Sequence, residues 1–124
     1  MIVHTILYVT DQSLSRDFYK ILLALDPILD VPGMTEFKLT DAHILGLMPE
    51  KGIKKLLGNK LPDPSRAAGI PRAELYFRVS DPESMYLRAT KAGAIELSPI
   101  TLRDWGHCAG YVLDPDGHVV AIAD

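Results

Sequence analysis

His4 and Glu74, two residues able to hold a metal or move a proton, occupy matching places in a sequence that repeats itself. His4-Thr-Ile-Leu-Tyr-Val-Thr-Asp11 is echoed by Glu74-Leu-Tyr-Phe-Arg-Val-Ser-Asp81, and each polar residue stands seven positions ahead of its Asp. A second echo pairs Asp41-Ala-His-Ile-Leu-Gly46-Leu with Asp116-Gly-His-Val-Val-Ala121-Ile. Tandem duplication relates equivalent residues by a pseudo-two-fold axis, so His4, Gly46, Glu74 and Ala121 are expected to be spatially related. Imidazole and carboxylate carry donor atoms for a divalent cation or for general acid–base chemistry, whereas glycine and alanine side chains carry none. Two donors fall short of the three or so that a protein site needs to hold such a cation against water.

A polar patch is the simpler expectation. Glu74, Tyr76 and Arg78 alternate with Leu75, Phe77 and Val79, so the apolar trio packs under a helix and the polar trio faces a cavity. His4, Ile6 and Tyr8 are expected to face it from the matching strand, with His4 and Glu74 hydrogen-bonded or sharing one patch. Trp105, the only tryptophan, lies in Arg103-Asp-Trp-Gly-His107 and is a candidate stacking surface, with packing as the alternative. His43 and His118 fall on the strand faces opposite Gly46 and Ala121. The direction of His107 is left open, because a bulge near Cys108-Ala-Gly110 would reverse it. Cys108 reads as a small buried group.

The elements that must position these residues are legible in the periodicity. Ile2 to Thr10 alternates as a strand, and Asp11 or Ser13 can cap a helix through Leu14, Phe18, Ile21, Leu22 and Leu25, ended by Asp26-Pro27. Three short strands follow between Pro27 and Leu47, broken at Pro32-Gly33 and near Thr40-Asp41-Ala42. From 49 to 72 the pattern fails in a Pro- and Gly-rich linker with one helical turn around Ile53 to Leu57. The second half repeats the order. A strand over Ala73 to Val79 leads into a helix opened by Asp81-Pro82-Glu83 and closed at Gly93. Strands follow near Ala94 to Leu97, Gly106 to Leu113 and His118 to Ala123, the last two joined by a turn at Asp114-Pro-Asp-Gly117.

Size and composition bound the reading. A chain of 124 residues with 48% hydrophobic and 23% charged residues is expected to form one soluble globular domain over 1–124. Module 1 covers 1–48, the linker 49–72 and module 2 73–124. A net charge of −3 gives no footprint for nucleic acid, and the basic cluster Lys51, Lys54, Lys55 and Lys60 reads as a solvated face. No apolar run is long enough to span a membrane. One cysteine excludes an internal disulfide, and the first strand begins almost at Met1 without a signal-peptide pattern, so a cytoplasmic location is expected.

The strand from His4 to Asp11, Phe18-Tyr19 in the first helix and the closing Tyr111-Val-Leu-Asp-Pro-Asp-Gly-His-Val-Val-Ala121 resemble the vicinal oxygen chelate superfamily. That group includes glyoxalase I, extradiol dioxygenases and bleomycin-resistance proteins. The resemblance implies an α+β fold, two tandem βαβββ modules whose mixed sheets curl around a cavity, and a homodimer. It also implies four metal ligands in the enzymes, one on the first and one on the last strand of each module. Carried over, these are His4 and Glu74, with Gly46 and Ala121 where the enzymes present carboxylates. The expected function is therefore metal-independent binding, sequestration or resistance toward an apolar or planar small molecule. No cofactor is expected, and the ligand-binding residues are His4, Tyr8, Glu74, Tyr76, Arg78 and Trp105. A glyoxalase- or lyase-like metalloenzyme with an incomplete metal site, and a degenerate structural domain, are the alternatives.

Overall fold

A computed structural model describes residues 1–124. In module 1, β1 (Val3–Val9) leads through α1 (Gln12–Leu23) to β2 (Leu29–Val31), β3 (Met34–Thr40) and β4 (His43–Pro49). Helix α2 (Glu50–Leu57) and two 3-10 turns, Gly58–Lys60 and Pro64–Ala67, fill the connection. Module 2 repeats the order with β5 (Glu74–Arg78), α3 (Pro82–Lys91), β6 (Ile95–Leu102), β7 (Cys108–Leu113) and β8 (Val119–Ala123). The fold is α+β with the expected βαβββ pair. Each module is a four-stranded mixed sheet, ordered β1-β4-β3-β2 and β5-β8-β7-β6. The two sheets share no hydrogen-bonded strand pair, so the expected curl stays open.

Alternation works as read in β1: Thr5, Leu7 and Val9 turn toward the core while His4, Ile6 and Tyr8 stay exposed. The Asp11 carboxylate accepts from Leu14 N–H at 3.0 Å, and Asp81 does the same for Ser84, satisfying N–H groups that have no partner within the helix. Three local expectations change. Helix α1 ends at Leu23, before Asp26-Pro27, because Ala24 adopts a left-handed conformation (φ 53°) that closes the last turn onto Ile21. Its buried stripe is Ser15, Phe18, Tyr19 and Leu22, while Leu14, Ile21 and Leu25 are exposed. The linker holds a two-turn helix, α2, where one turn was expected.

Alanine is disfavoured in the left-handed region by Cβ sterics that glycine escapes. Ala24→Gly is therefore expected to stabilise the protein by up to about 1 kcal/mol, read as a higher urea midpoint with unchanged m-value.

Helices α1 and α3 cover one face of their sheets and touch each other, and the guanidinium of Arg88 on α3 donates to the Leu22 carbonyl of α1 at 3.0 Å. Phe18, Tyr19, Leu22, Phe37, Leu45 and Leu47 from module 1 thus join Leu75, Met85, Val112, Val120 and Ile122 from module 2 in one core. A second tie is the turn at Asp114-Pro-Asp-Gly-His118. Asp116 accepts from Thr10 N–H (2.8 Å) and Ser15 Oγ (3.1 Å), Asp114 accepts from the buried Tyr19 hydroxyl (2.7 Å), and His118 Nε2 donates to the Tyr8 carbonyl (3.0 Å). With both helices on the core side, the opposite sheet faces are open except where α2 touches β1 and β4. Those faces hold the residues singled out for chemistry.

Candidate functional site

On sheet 1, strand register sets the arrangement. Gly46 on β4 is flanked by Ile6 on β1 and Glu36 on β3. Because Gly46 has no side chain, Glu36 reaches across the strand, and its Oε1 lies 3.4 Å from His4 Nδ1. His4 therefore pairs with Glu36. This corrects the expectation that it would meet Glu74: no hydrogen bond or ion pair joins His4 to module 2. Gly46 itself offers no donor, and a Cβ there would crowd Ile6 Cγ1 at 3.1 Å and Met34 Sδ at 3.3 Å.

One end of this face is roofed by the linker. A cavity of about 1070 Å³ opens there, lined by Ile6 and Tyr8 from β1, Glu50 from α2, Arg66 and Arg72 from the linker, and His118. That is near the upper end for small-molecule sites. Burial raises the Glu50 carboxyl above its usual range, and the nearby Asp116 and Asp63 carboxylates add to the effect. Of the six residues singled out from sequence, only Tyr8 lines this cavity.

On sheet 2, Tyr76 stands opposite Ala121, which Tyr111 flanks on the other side. Ala121 is fully buried, and its methyl offers no donor. The Tyr76 hydroxyl accepts from Trp105 Nε1 at 2.9 Å and lies 2.8 Å from His107 Nδ1. The loop from Arg103 to His107 closes through Arg103 N–H to the His107 carbonyl (2.8 Å), with Gly106 at φ 95° letting it turn. This brings both rings onto Tyr76 and settles the direction of His107. Arg78 is exposed, and its Nε donates to the Asp124 backbone oxygen at 2.8 Å.

The chain brings three His, Cys, Asp or Glu side chains together at one place only, Asp114, Asp116 and His118, with atoms within 4.8 Å. Both carboxylates already accept hydrogen bonds. Beyond the bonds given above, Asp114 Oδ1 accepts from the Asp116 and His118 N–H groups, both at 2.9 Å. His118 Nε2 donates to the Tyr8 carbonyl, which leaves the lone pair of the neutral ring on Nδ1. Elsewhere His4 and Glu36 provide two donors, short of a metal site.

A family model described as a glyoxalase-like domain matches residues 2–124. The chain belongs to the glyoxalase-like family. This glyoxalase-like protein is similar to the uncharacterized protein Mb0911c of Mycobacterium bovis, at 28% identity over 90% of this chain and 75% of that one. Its fold matches a glyoxalase-related enzyme from Fulvimarina pelagi with a TM-score of 0.83 and 22% identity, over 99% of this chain and 86% of the other. It also matches a glyoxalase/bleomycin resistance protein from Albidiferax ferrireducens with a TM-score of 0.73 and 20% identity, over 97% and 94%. These likenesses place the glyoxalase-like protein in the vicinal oxygen chelate superfamily.

Sequence reasoning missed Glu36 and left the direction of His107 open. Glu36 alternates in phase with Met34, but its place beside Gly46 depends on a register shift between Lys38 and Thr40. His107 depends on the loop geometry, which periodicity does not reach.

Proposed function

We propose that this glyoxalase-like protein binds a small apolar or planar molecule without a metal, as a sequestering or resistance protein would. One observation carries the reading: the two last-strand positions hold glycine and alanine, which offer no donor atom, and no third donor joins His4 and Glu36 on the open face, while the carboxylates of the Asp114–His118 turn at the cavity edge already accept hydrogen bonds. Shape, aromatic surface and a few oriented polar groups are left to select a ligand. The cavity beside Tyr8, with its Ile6 floor, is the place to look first.

The reading includes a homodimer. Ile6, Leu29 and Val31 on sheet 1 are exposed large hydrophobic residues, from 38% for Leu29 to 45% for Val31. A second copy laid over the uncovered faces would cover them.

The test pairs elemental analysis of native protein with a thermal-shift panel of aromatic compounds. Metal below stoichiometry is expected, together with at least one compound that raises the melting temperature by mass action. Tyr8→Ala is expected to weaken that compound about ten-fold, the loss of one aromatic contact. A stoichiometric transition metal in native protein would overturn the reading, as would a panel with no shift.

A further inference from the structure

The hydrogen atoms around Tyr76 do not balance within the protein. Trp105 Nε1 can only donate, and it donates to the Tyr76 oxygen. The 2.8 Å contact between that oxygen and His107 Nδ1 is one more hydrogen bond. Three protons are therefore present, on the indole, the phenol and the neutral imidazole, and the cluster makes two bonds. If the phenol donates to Nδ1, the imidazole Nε2–H is left over. If Nδ1–H donates to the phenol oxygen, the phenol O–H is left over. Neither proton has an acceptor on the protein, because the Tyr76 and His107 side chains make no other hydrogen bond. One donor thus always faces outward, beside an indole that is 55% exposed.

The cluster is also held in place before anything binds. Arg103, at the base of the loop, donates to the Ala109 carbonyl, Ser98 Oγ and the Pro99 carbonyl at 2.8 to 2.9 Å, and its guanidinium lies 5.2 Å from the centre of the Tyr111 ring. An indole and a donor fixed in this way lose little freedom on binding. The charges nearby set the sign of what fits. Glu74 shares the strand face of Tyr76, Asp104 adjoins Trp105, and Asp124 accepts the Cys108 N–H next to His107. Of the two cations on this side, Arg78 is turned to a carbonyl and Arg103 is held over Tyr111. Three carboxylates thus stand against two guanidinium groups, a balance that disfavours an anion.

We propose that Tyr76, His107 and Trp105 form a recognition site for a planar aromatic compound bearing a neutral acceptor oxygen, such as an aryl ketone or quinone. The indole face stacks on the ring, and the spare phenol or imidazole proton bonds the carbonyl. This rests on the small-molecule reading above and adds a ligand class and a role for His107.

Ethylbenzene, acetophenone and benzoate share a shape and differ in the oxygen and its charge. Binding of each is followed by the single indole N–H resonance of Trp105. Acetophenone is expected to bind about five-fold tighter than ethylbenzene, the gain of one hydrogen bond, and benzoate more weakly than acetophenone. The double variant Tyr76→Phe/His107→Leu should remove the preference for acetophenone, since either single variant still leaves a phenol or imidazole proton free, while unchanged ethylbenzene affinity shows that the variant remains folded. Equal binding of acetophenone and ethylbenzene, or tighter binding of benzoate, would overturn this site while leaving small-molecule binding intact. Silence from all three probes would also overturn it, and the aromatic panel separately decides the broader reading.

Discussion

Asp114→Ala is expected to destabilise the protein by about 3–4 kcal/mol, because it strands buried donors that have no other partner. Asp114 is 3% exposed and accepts from the Tyr19 hydroxyl, the Asp116 N–H and the His118 N–H. Tyr19 is fully buried, so its hydroxyl cannot turn to water once the carboxyl is gone. For a chain of this size that corresponds to a fall of roughly 10–15 °C in melting temperature, measured by calorimetry. Asp114→Asn, which keeps an acceptor and the shape, should cost much less. Burial raises the Asp114 carboxyl above its usual value of 3.8, only partly offset by the bond from Tyr19, so hydrogen bonding and not charge secures the turn. The sign follows from linkage. A carboxyl whose folded pKa is raised contributes stability that is present below its unfolded value and lost as pH rises through the folded one. Acidification from pH 7 to pH 4 should therefore move the balance toward wild type relative to Asp114→Asn, read from urea midpoints at each pH.

Gly117→Ala is expected to cost about 2–4 kcal/mol and to loosen the linker. Gly117 sits at φ 85°, and a Cβ there would lie 2.6 Å from the Gly69 carbonyl oxygen and 3.0 Å from its Cα. The obstacle is backbone, so no side chain can swing aside. Displacing Gly69 should free the segment from Leu61 to Ala73 that roofs the cavity, and limited proteolysis should cleave there faster than in wild type. Gly69→Ala is the control. Gly69 shares the left-handed conformation, at φ 78°, but its added Cβ would be 3.7 Å from the nearest oxygen, an ordinary contact. It should show only the conformational cost of about 1–2 kcal/mol, with little change in proteolysis.

The architecture was legible because local chemistry and global pattern agree. Asp11 and Asp81 cap their helices, the alternation of β1 and β5 sorts core from open face, and the duplicated order gives the modules. What the alternation could not supply was which strand positions lie side by side. His4 was paired with Glu74 by symmetry, whereas strand register gives it to Glu36, two strands away across a glycine. Tyr76 and Trp105 were singled out separately, yet their hydrogen bond depends on how a five-residue loop folds back. The role of Asp114 was also hidden. In sequence it belongs to a turn, and only packing shows that Tyr19, on a helix of the other module, donates to it.

The Asp114–His118 turn grips Tyr8, Thr10, Ser15 and Tyr19 in the first half of the chain. Its counterpart at Thr40–Ala42 bonds only within its own half, through Val3 N–H to the Ala42 carbonyl and Lys38 to Asp41. The repeat is therefore lopsided in its mechanics although its text is nearly even. One hairpin serves as a rivet between halves and its twin as a plain bend. Substitutions at matched sites in the two copies should accordingly have unequal consequences, with the heavier burden on the later copy.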